Sequence, residues 1–275
     1  MNTALLSLTV SLDQSTRTRR DDVGSVRGAI RSEWIKLRSL RSNRVIFVMT
    51  FVIGVVMSFV LATFVKTDPY DHLPFTVSNT FMTSTWLTTM LAIIVGILMV
   101  TSEVQHRTLA NSVAAQPARW VTVAGKVAVA AGFGLAMGAL GIIGGLGSGV
   151  ATSMDMGDTS SMVATAAWGL VLTTLAAVFG VGLGMIIRHS AAAVSLTLVW
   201  AFVLENLVRG MASASVTRFL PFSAANGLLS IRSAGDTAET LAARLSSVQN
   251  AMLFGGFTAV AVVVGTVLLY RRDVG

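Results

Sequence analysis

Between two long apolar runs the chain carries Thr101-Ser102-Glu103-Val104-Gln105-His106-Arg107-Thr108-Leu109-Ala110-Asn111-Ser112, then Gln116-Pro117-Ala118-Arg119-Trp120 and Lys126. A carboxylate, an imidazole and several cations fall within a few turns of a helix-compatible block. Their chemistry is ion pairing and docking rather than bond making. His72, His106 and His189 fall in three separate loops or ends, so no ligand spacing for a metal arises. No G-x-S-x-G nucleophile motif occurs, and the chain has no cysteine. Ala124-Gly125-Lys126-Val127 lacks both the upstream glycine and the following Ser/Thr of a phosphate-binding loop. These residues give no catalytic constellation and no metal or nucleotide site. An energy source for this chain would therefore attach at the polar block.

The elements around the block are membrane elements. Of 275 residues 53% are hydrophobic and 12% charged, with mean hydropathy +0.74. A soluble domain carries about twice that charged fraction. The apolar residues come in runs of about 20, the length of a helix crossing a bilayer core. The alternating segments of about 10 residues that build a barrel are absent. The spacing predicts an all-α integral membrane protein with six transmembrane helices. They lie near 45–65, 79–100, within 121–150, 162–187, 191–208 and 251–270.

The net charge of +7 invites a nucleic-acid reading, but nine of the twenty basic residues lie between Arg17 and Arg44, ahead of the first span. Charge follows topology instead. Arg107, Arg119, Lys126, Arg188, Arg271 and Arg272 share that side. Lys66, Arg209, Arg218, Arg232 and Arg244 take the other, with Asp68, Asp71, Asp155 and Asp158. The positive-inside rule then puts both termini in the cytoplasm of a multi-pass cell (plasma) membrane protein, and the polar block faces the same side. The first sixteen residues lack the basic n-region and cleavage site of a signal peptide, and 1–24 read as a disordered cytoplasmic tail.

Residues 25–44 read as an amphipathic interfacial helix. Ile30, Trp34, Leu37 and Leu40 share one face, and Arg27, Arg31, Lys36, Arg38, Arg41 and Arg44 fill the rest, suited to an anionic leaflet. The remaining 45–275 form the six-span domain. Within it 209–250 reads as short extracytoplasmic helices, broken at Phe219-Leu220-Pro221-Phe222 and restarted by a capping-box-like Asp236 and Glu239.

The third span is glycine-dense, with GxxxG spacing at Gly134/Gly138 and Gly141/Gly145, and the fourth repeats it at Gly180/Gly184. Such pairs admit close helix packing or a sliding interface. Ser84, Thr85, Thr88 and Thr89 around Trp86 read either as back-bonded hydroxyls or as the lining of a substrate path. Glu205, one turn before Arg209, reads as an interface ion pair or as part of that path.

Taken in order, several motifs resemble the ABC-2 type permeases, the membrane subunits of one class of ABC exporter. They are Ser32-Glu33-Trp34-Ile35-Lys36-Leu37-Arg38-Ser39, Ser102-Glu103 with Thr108-Leu109, Pro117-x-Arg119, Lys126, and Leu220-Pro221-Phe222-Ser223-Ala224-Ala225. The likeness covers the chain beyond about Arg27, in the style of small actinobacterial members. The block departs from the common family pattern at Val104, Gln105 and Arg107.

The resemblance implies a permease that moves an amphipathic organic substrate out of the cytoplasm or inner leaflet. It implies no enzyme activity and no cofactor in this chain. ATP and Mg would sit on a separate ABC ATPase subunit, present in two copies, with the permease paired as a homodimer or heterodimer in the lipid bilayer. Residues 102–120 would form a cytoplasmic coupling helix between spans 2 and 3, using Glu103, His106, Arg107, Thr108, Leu109, Pro117 and Arg119. Glu103 would face a basic residue of the ATPase, and the helix with Trp34, Lys36 and Arg38 would touch it too. The readings competing with this one are an ion-coupled secondary transporter and a non-transporting membrane scaffold or sensor.

Overall fold

The computed structural model describes residues 26–36, 41–65, 76–106, 119–230 and 238–271. The expected tail 1–24, Arg38, Arg107, Thr108, Leu109, Pro117 and Asp236 lie outside these residues, as does the side chain of Arg119. Among the described residues the chain is helical throughout, with no strand. Helix α1 covers 26–36. It is followed by α2 (Arg41–Phe64), α3 (Val77–Gln105), α4 (Arg119–Ala151), α5 (Thr159–Ile187) and α6 (Ser190–Met211). Three short helices come next: α7 (Ala214–Thr217), α8 (Pro221–Leu228) and α9 (Ala238–Ala242). The last helix is α10 (Ser247–Arg271).

Five helices are long and apolar enough to cross a bilayer: α3, α4 from Trp120, α5, α6 and α10. The expected first span coincides with α2, whose apolar stretch among the described residues, Phe51–Phe64, is shorter. Long apolar side chains such as Phe64, Val60, Leu196, Phe202, Val260 and Val263 cover the outside of the bundle. That is the inversion expected of a protein whose solvent is lipid.

Helix α3 is the centre. It packs most extensively on α5 and also meets α2, α4 and α6. Glycine explains how closely α3 and α5 approach. A Cβ on Gly96 would stand 3.0 Å from the Gly180 Cα and 2.9 Å from the Val181 nitrogen. A Cβ on Gly180 would stand as close to the Ile93 backbone. The two helices run side by side in the same direction, and these reciprocal glycines let main chain meet main chain. Gly134 and Gly138 seat α4 on Thr173 and Leu170 of α5 in the same way, while Gly145 receives the Phe81 ring. These contacts are the close helix packing that the glycine spacing admits.

The helix ends follow local rules. The Thr76 backbone N–H donates to Asn79 Oδ1 at 3.3 Å to open α3. Asp158 Oδ2 accepts from the Ser161 N–H at 2.9 Å to open α5. The Ser160 hydroxyl and the Ser161 N–H hold the exposed Asp158 carboxyl below its ordinary range. Arg188 closes α5 in the left-handed region, with φ of 58°. His189 then opens α6, its Nδ1 accepting from the Ala192 N–H at 3.2 Å.

One helix boundary differs from the sequence expectation. Helix α3 does not stop near Val100; it continues to Gln105, with His106 as its cap. Thr101 and Ser102 stay helical by returning their hydroxyls to Ile97 O and Leu98 O, at 3.0 and 2.6 Å. The first third of the polar block is thus the end of a long helix rather than a separate element. Within the expected helix over 25–44 the described residues are those of α1 and, from Arg41, the start of α2; 37–40 lie outside them. Finally, α6 contains a π turn at Trp200–Leu204, where the Glu205 N–H donates back to Trp200 O.

Candidate functional site

At the end of the bundle where α3 stops and α4 starts, four charged side chains close into a ring. Lys36 Nζ lies 2.9 Å from Glu33 Oε1 and 3.0 Å from Glu103 Oε1. Lys126 Nζ lies 3.0 Å from Glu33 Oε2 and 2.8 Å from Glu103 Oε2. Each carboxylate spends its two oxygens on two different ammonium groups, and the signs alternate round the ring. Glu33 and Lys36 share a face of α1 by their three-residue spacing. Glu103 reaches in from the last turn of α3, and Lys126 from the second turn of α4.

The ring joins three elements distant in sequence. Ala29 of α1 also packs where a Cβ on Gly125 would stand 3.1 Å away, so α1 lies directly against α4. Ile30 adds an apolar contact with the core.

Burial makes the alternation necessary. The Lys126 side chain is 3% exposed and Glu33 6%. Isolated charges at such depth cost several kcal/mol each, and only close partners of opposite sign offset that. The four formal charges cancel. Lys36 is the open corner at 41% exposure. Burial by itself lowers its pKa, but the hydrogen bond and charge of Glu33, joined by Glu103, outweigh that and raise it above the ordinary lysine value.

This geometry corrects the expectation for Glu103. It does not face outward toward a foreign cation, because both its oxygens lie within 3.0 Å of lysines of its own chain. Lys126 is the most buried member of the ring. On α1, Glu33 turns inward to its lysine partners and Ile30 packs on the bundle, while Trp34 is 48% exposed. A buried carboxylate without those partners would be costly, so the ion pairs favour this rotation of the helix.

Other expected site residues lie elsewhere. His106 caps α3 beside Gln105, whose Nε2 donates to Ser190 Oγ of α6 at 2.8 Å. Ser84, Thr85, Thr88 and Thr89 of α3 are buried. Ser84 donates to Phe81 O, Thr88 to Ser84 O and Thr89 to Thr85 O, at 3.2, 2.7 and 2.7 Å. Thr85 fills the space above Gly169, and Trp86 meets Phe202 edge-on with centroids 5.1 Å apart. Back-bonding is thus seen at Ser84, Thr88 and Thr89.

Glu205 belongs to the opposite end. It is 1% exposed, and Oε2 accepts from the Phe222 N–H at 3.0 Å while Oε1 accepts from the Ser223 N–H. Arg209 stands beside it, with Nη2 3.9 Å from Oε1 and Nε donating to Ser223 Oγ at 3.0 Å. The carboxylate caps α8, and Arg209 is the secondary neighbour.

Sequence reasoning did not select Glu33 or Lys126 as site residues. Glu33 is the single acid in a basic helix and Lys126 the one charge inside an apolar run; each such exception marks a place where a partner must exist. Among the described residues no group of three or more His, Cys, Asp or Glu side chains is placed to hold a metal ion. No protein-family model matches the chain, and no curated protein matches it.

Proposed function

We propose that this chain is the membrane permease subunit of an ABC-2 type exporter. In this reading six spans cross the cell membrane with both termini in the cytoplasm. Two copies of a separate ATPase supply the energy, a second permease chain completes the pathway, and the cargo is an amphipathic organic molecule. The carrying observation is the Glu33–Lys36–Glu103–Lys126 ring. It bolts α1 to the bases of α3 and α4, the two helices that flank residues 107–118. A partner pushing on that segment would move a bonded unit of three helices rather than one loose strand. Coupling between sites needs such an element with defined contacts at both ends. The ring also changes the role of Glu103: it stiffens the platform, and contact with the ATPase falls to 106–120 and the outer face of α1.

The test is affinity purification of the tagged full chain from its native membrane, followed by ATPase assay in nanodiscs. Recovery of a soluble subunit with a nucleotide-binding loop is expected, with hydrolysis that responds to the permease. Glu33→Gln should leave the subunit bound but weaken that response. Purification with no ATPase, together with uptake driven by a proton gradient in vesicles lacking ATP, overturns the reading.

A further inference from the structure

Helix α6 places Glu205 by an irregularity. In its first part Ala193 and Thr197 are buried, one turn apart, and define the face that packs on the bundle. Continued as a regular α-helix, that face passes through Ala201 and Leu204. Glu205 would then point about 100° away. The π turn at Trp200–Leu204 takes up one extra residue, so Glu205 occupies the buried face instead. There it meets the N-terminus of α8, whose Pro221 has no N–H to offer and whose Phe222 and Ser223 N–H groups both go to the carboxylate. Leu220, the residue before the helix, supplies no side-chain cap. The cap of α8 is thus held by another helix, and only in one register of that helix.

Helix α8 sits like a stopper on this end of the bundle. Phe222, Ala224, Ala225 and Leu228 are buried beneath it, against α10 and α5. Gly227 allows the Asn250 side chain of α10 to lie directly against the α8 backbone. It is joined to the rest by short segments and has only eight residues, so its seating depends on the contacts it makes.

We infer that Glu205 is the catch of a two-register latch. With the π turn present, the carboxylate seats α8; when the turn relaxes to α-helix, Glu205 rotates off the buried face and α8 is released. The pieces required are on one short stretch: a turn that holds one surplus residue, a carboxylate immediately after it, and a helix that has no cap of its own. Arg209, one turn further, keeps its bond to Ser223 in the latched register and would leave with Glu205.

The absence of native cysteine allows a direct measurement. The full chain in nanodiscs carries a single reporter, Ala225→Cys on the buried face of α8 or Ala130→Cys on the buried face of α4, and is labelled with a maleimide. In the parent both thiols should react slowly. Glu205→Ala should speed labelling at 225 about tenfold or more and leave 130 unchanged. Deletion of Ala201 turns the π turn into regular helix with Glu205 still on the buried face, and should leave 225 as slow as in the parent. Should Glu205→Ala fail to fold, Glu205→Gln, which keeps shape but loses one acceptor, is expected to give an intermediate rate. Unchanged labelling at 225 in both Glu205 variants overturns the latch. So does labelling at 130 that rises in step, which would make Glu205 a support of the whole bundle. Fast labelling at 225 after deletion of Ala201 overturns the role of the π turn.

Discussion

The two ends of the bundle bury charge in opposite ways. At one end four side chains from three helices neutralise one another, and no backbone group takes part in the ring contacts described. At the other a single carboxylate is satisfied chiefly by two backbone N–H groups, with Arg209 at 3.9 Å. A ring of alternating charges has no soft direction: shifting any helix lengthens contacts to two partners at once. A carboxylate at a helix N-terminus needs only the right rotation of its own helix. The first arrangement is suited to holding elements together, and the second to letting one go.

Removing Lys126 should show this difference most strongly. Lys126→Ala leaves Glu33 and Glu103 buried with only the exposed Lys36 between them, and should cost about 3–5 kcal/mol, read as a large fall in the melting temperature in detergent. The fourfold inversion Glu33→Lys, Lys36→Glu, Glu103→Lys and Lys126→Glu restores the alternation and should recover most of that loss. No recovery would mean that the surroundings of the ring, rather than its sign pattern, set its stability.

Glu205→Gln should come next, at about 1–3 kcal/mol, confined to α8. Hydrogen exchange should quicken over 221–228 and stay slow in α3 and α5. Equal quickening throughout would erase the contrast between the two ends.

Lys36→Ala should cost less than Lys126→Ala, because its exposed position is screened by water and salt. A cost matching that of Lys126→Ala would show that exposure does not divide the ring. The smallest effect is with pH. The folded state raises the Lys36 pKa, so the stability it lends is complete below the ordinary lysine value and is lost as pH rises through the raised one. Melting curves should begin to fall above about pH 10.4, and Lys36→Ala should remove that part of the decline.

Much of the architecture was legible in residue order. Runs of about 20 apolar residues mark spanning helices because a bilayer core admits no unpaired backbone, and α3, α4, α5, α6 and α10 correspond to five such runs. Arg188 and His189 mark a helix break in sequence, and they form one in the structure. Helix α3 runs past the end of its apolar run although Thr101, Ser102 and Glu103 look like an exit into water. In the structure two of them bond back to the helix and the third finds lysines.

The candidate site was legible only in part. Glu103 stands out as a carboxylate after an apolar run, yet its partners lie 67 positions earlier and in the next helix. Neither spacing nor periodicity reports a contact of that range. The same holds for Glu205: its four-residue spacing to Arg209 suggests a pair, while its nearer partners belong to α8.

Sequence by itself determined that this chain is helical, apolar enough for a membrane and rich in small residues where helices meet, because each of these follows from local composition and period. Tertiary structure decided which charges are shared, how α1 is rotated and on which face Glu205 falls. Those outcomes depend on close approach between distant segments, and in Glu205 on one surplus residue in a turn. Hydrogen-bonded ion pairs form only when the two groups come within about 3 Å, so the order of residues names the charges and only their packing pairs them.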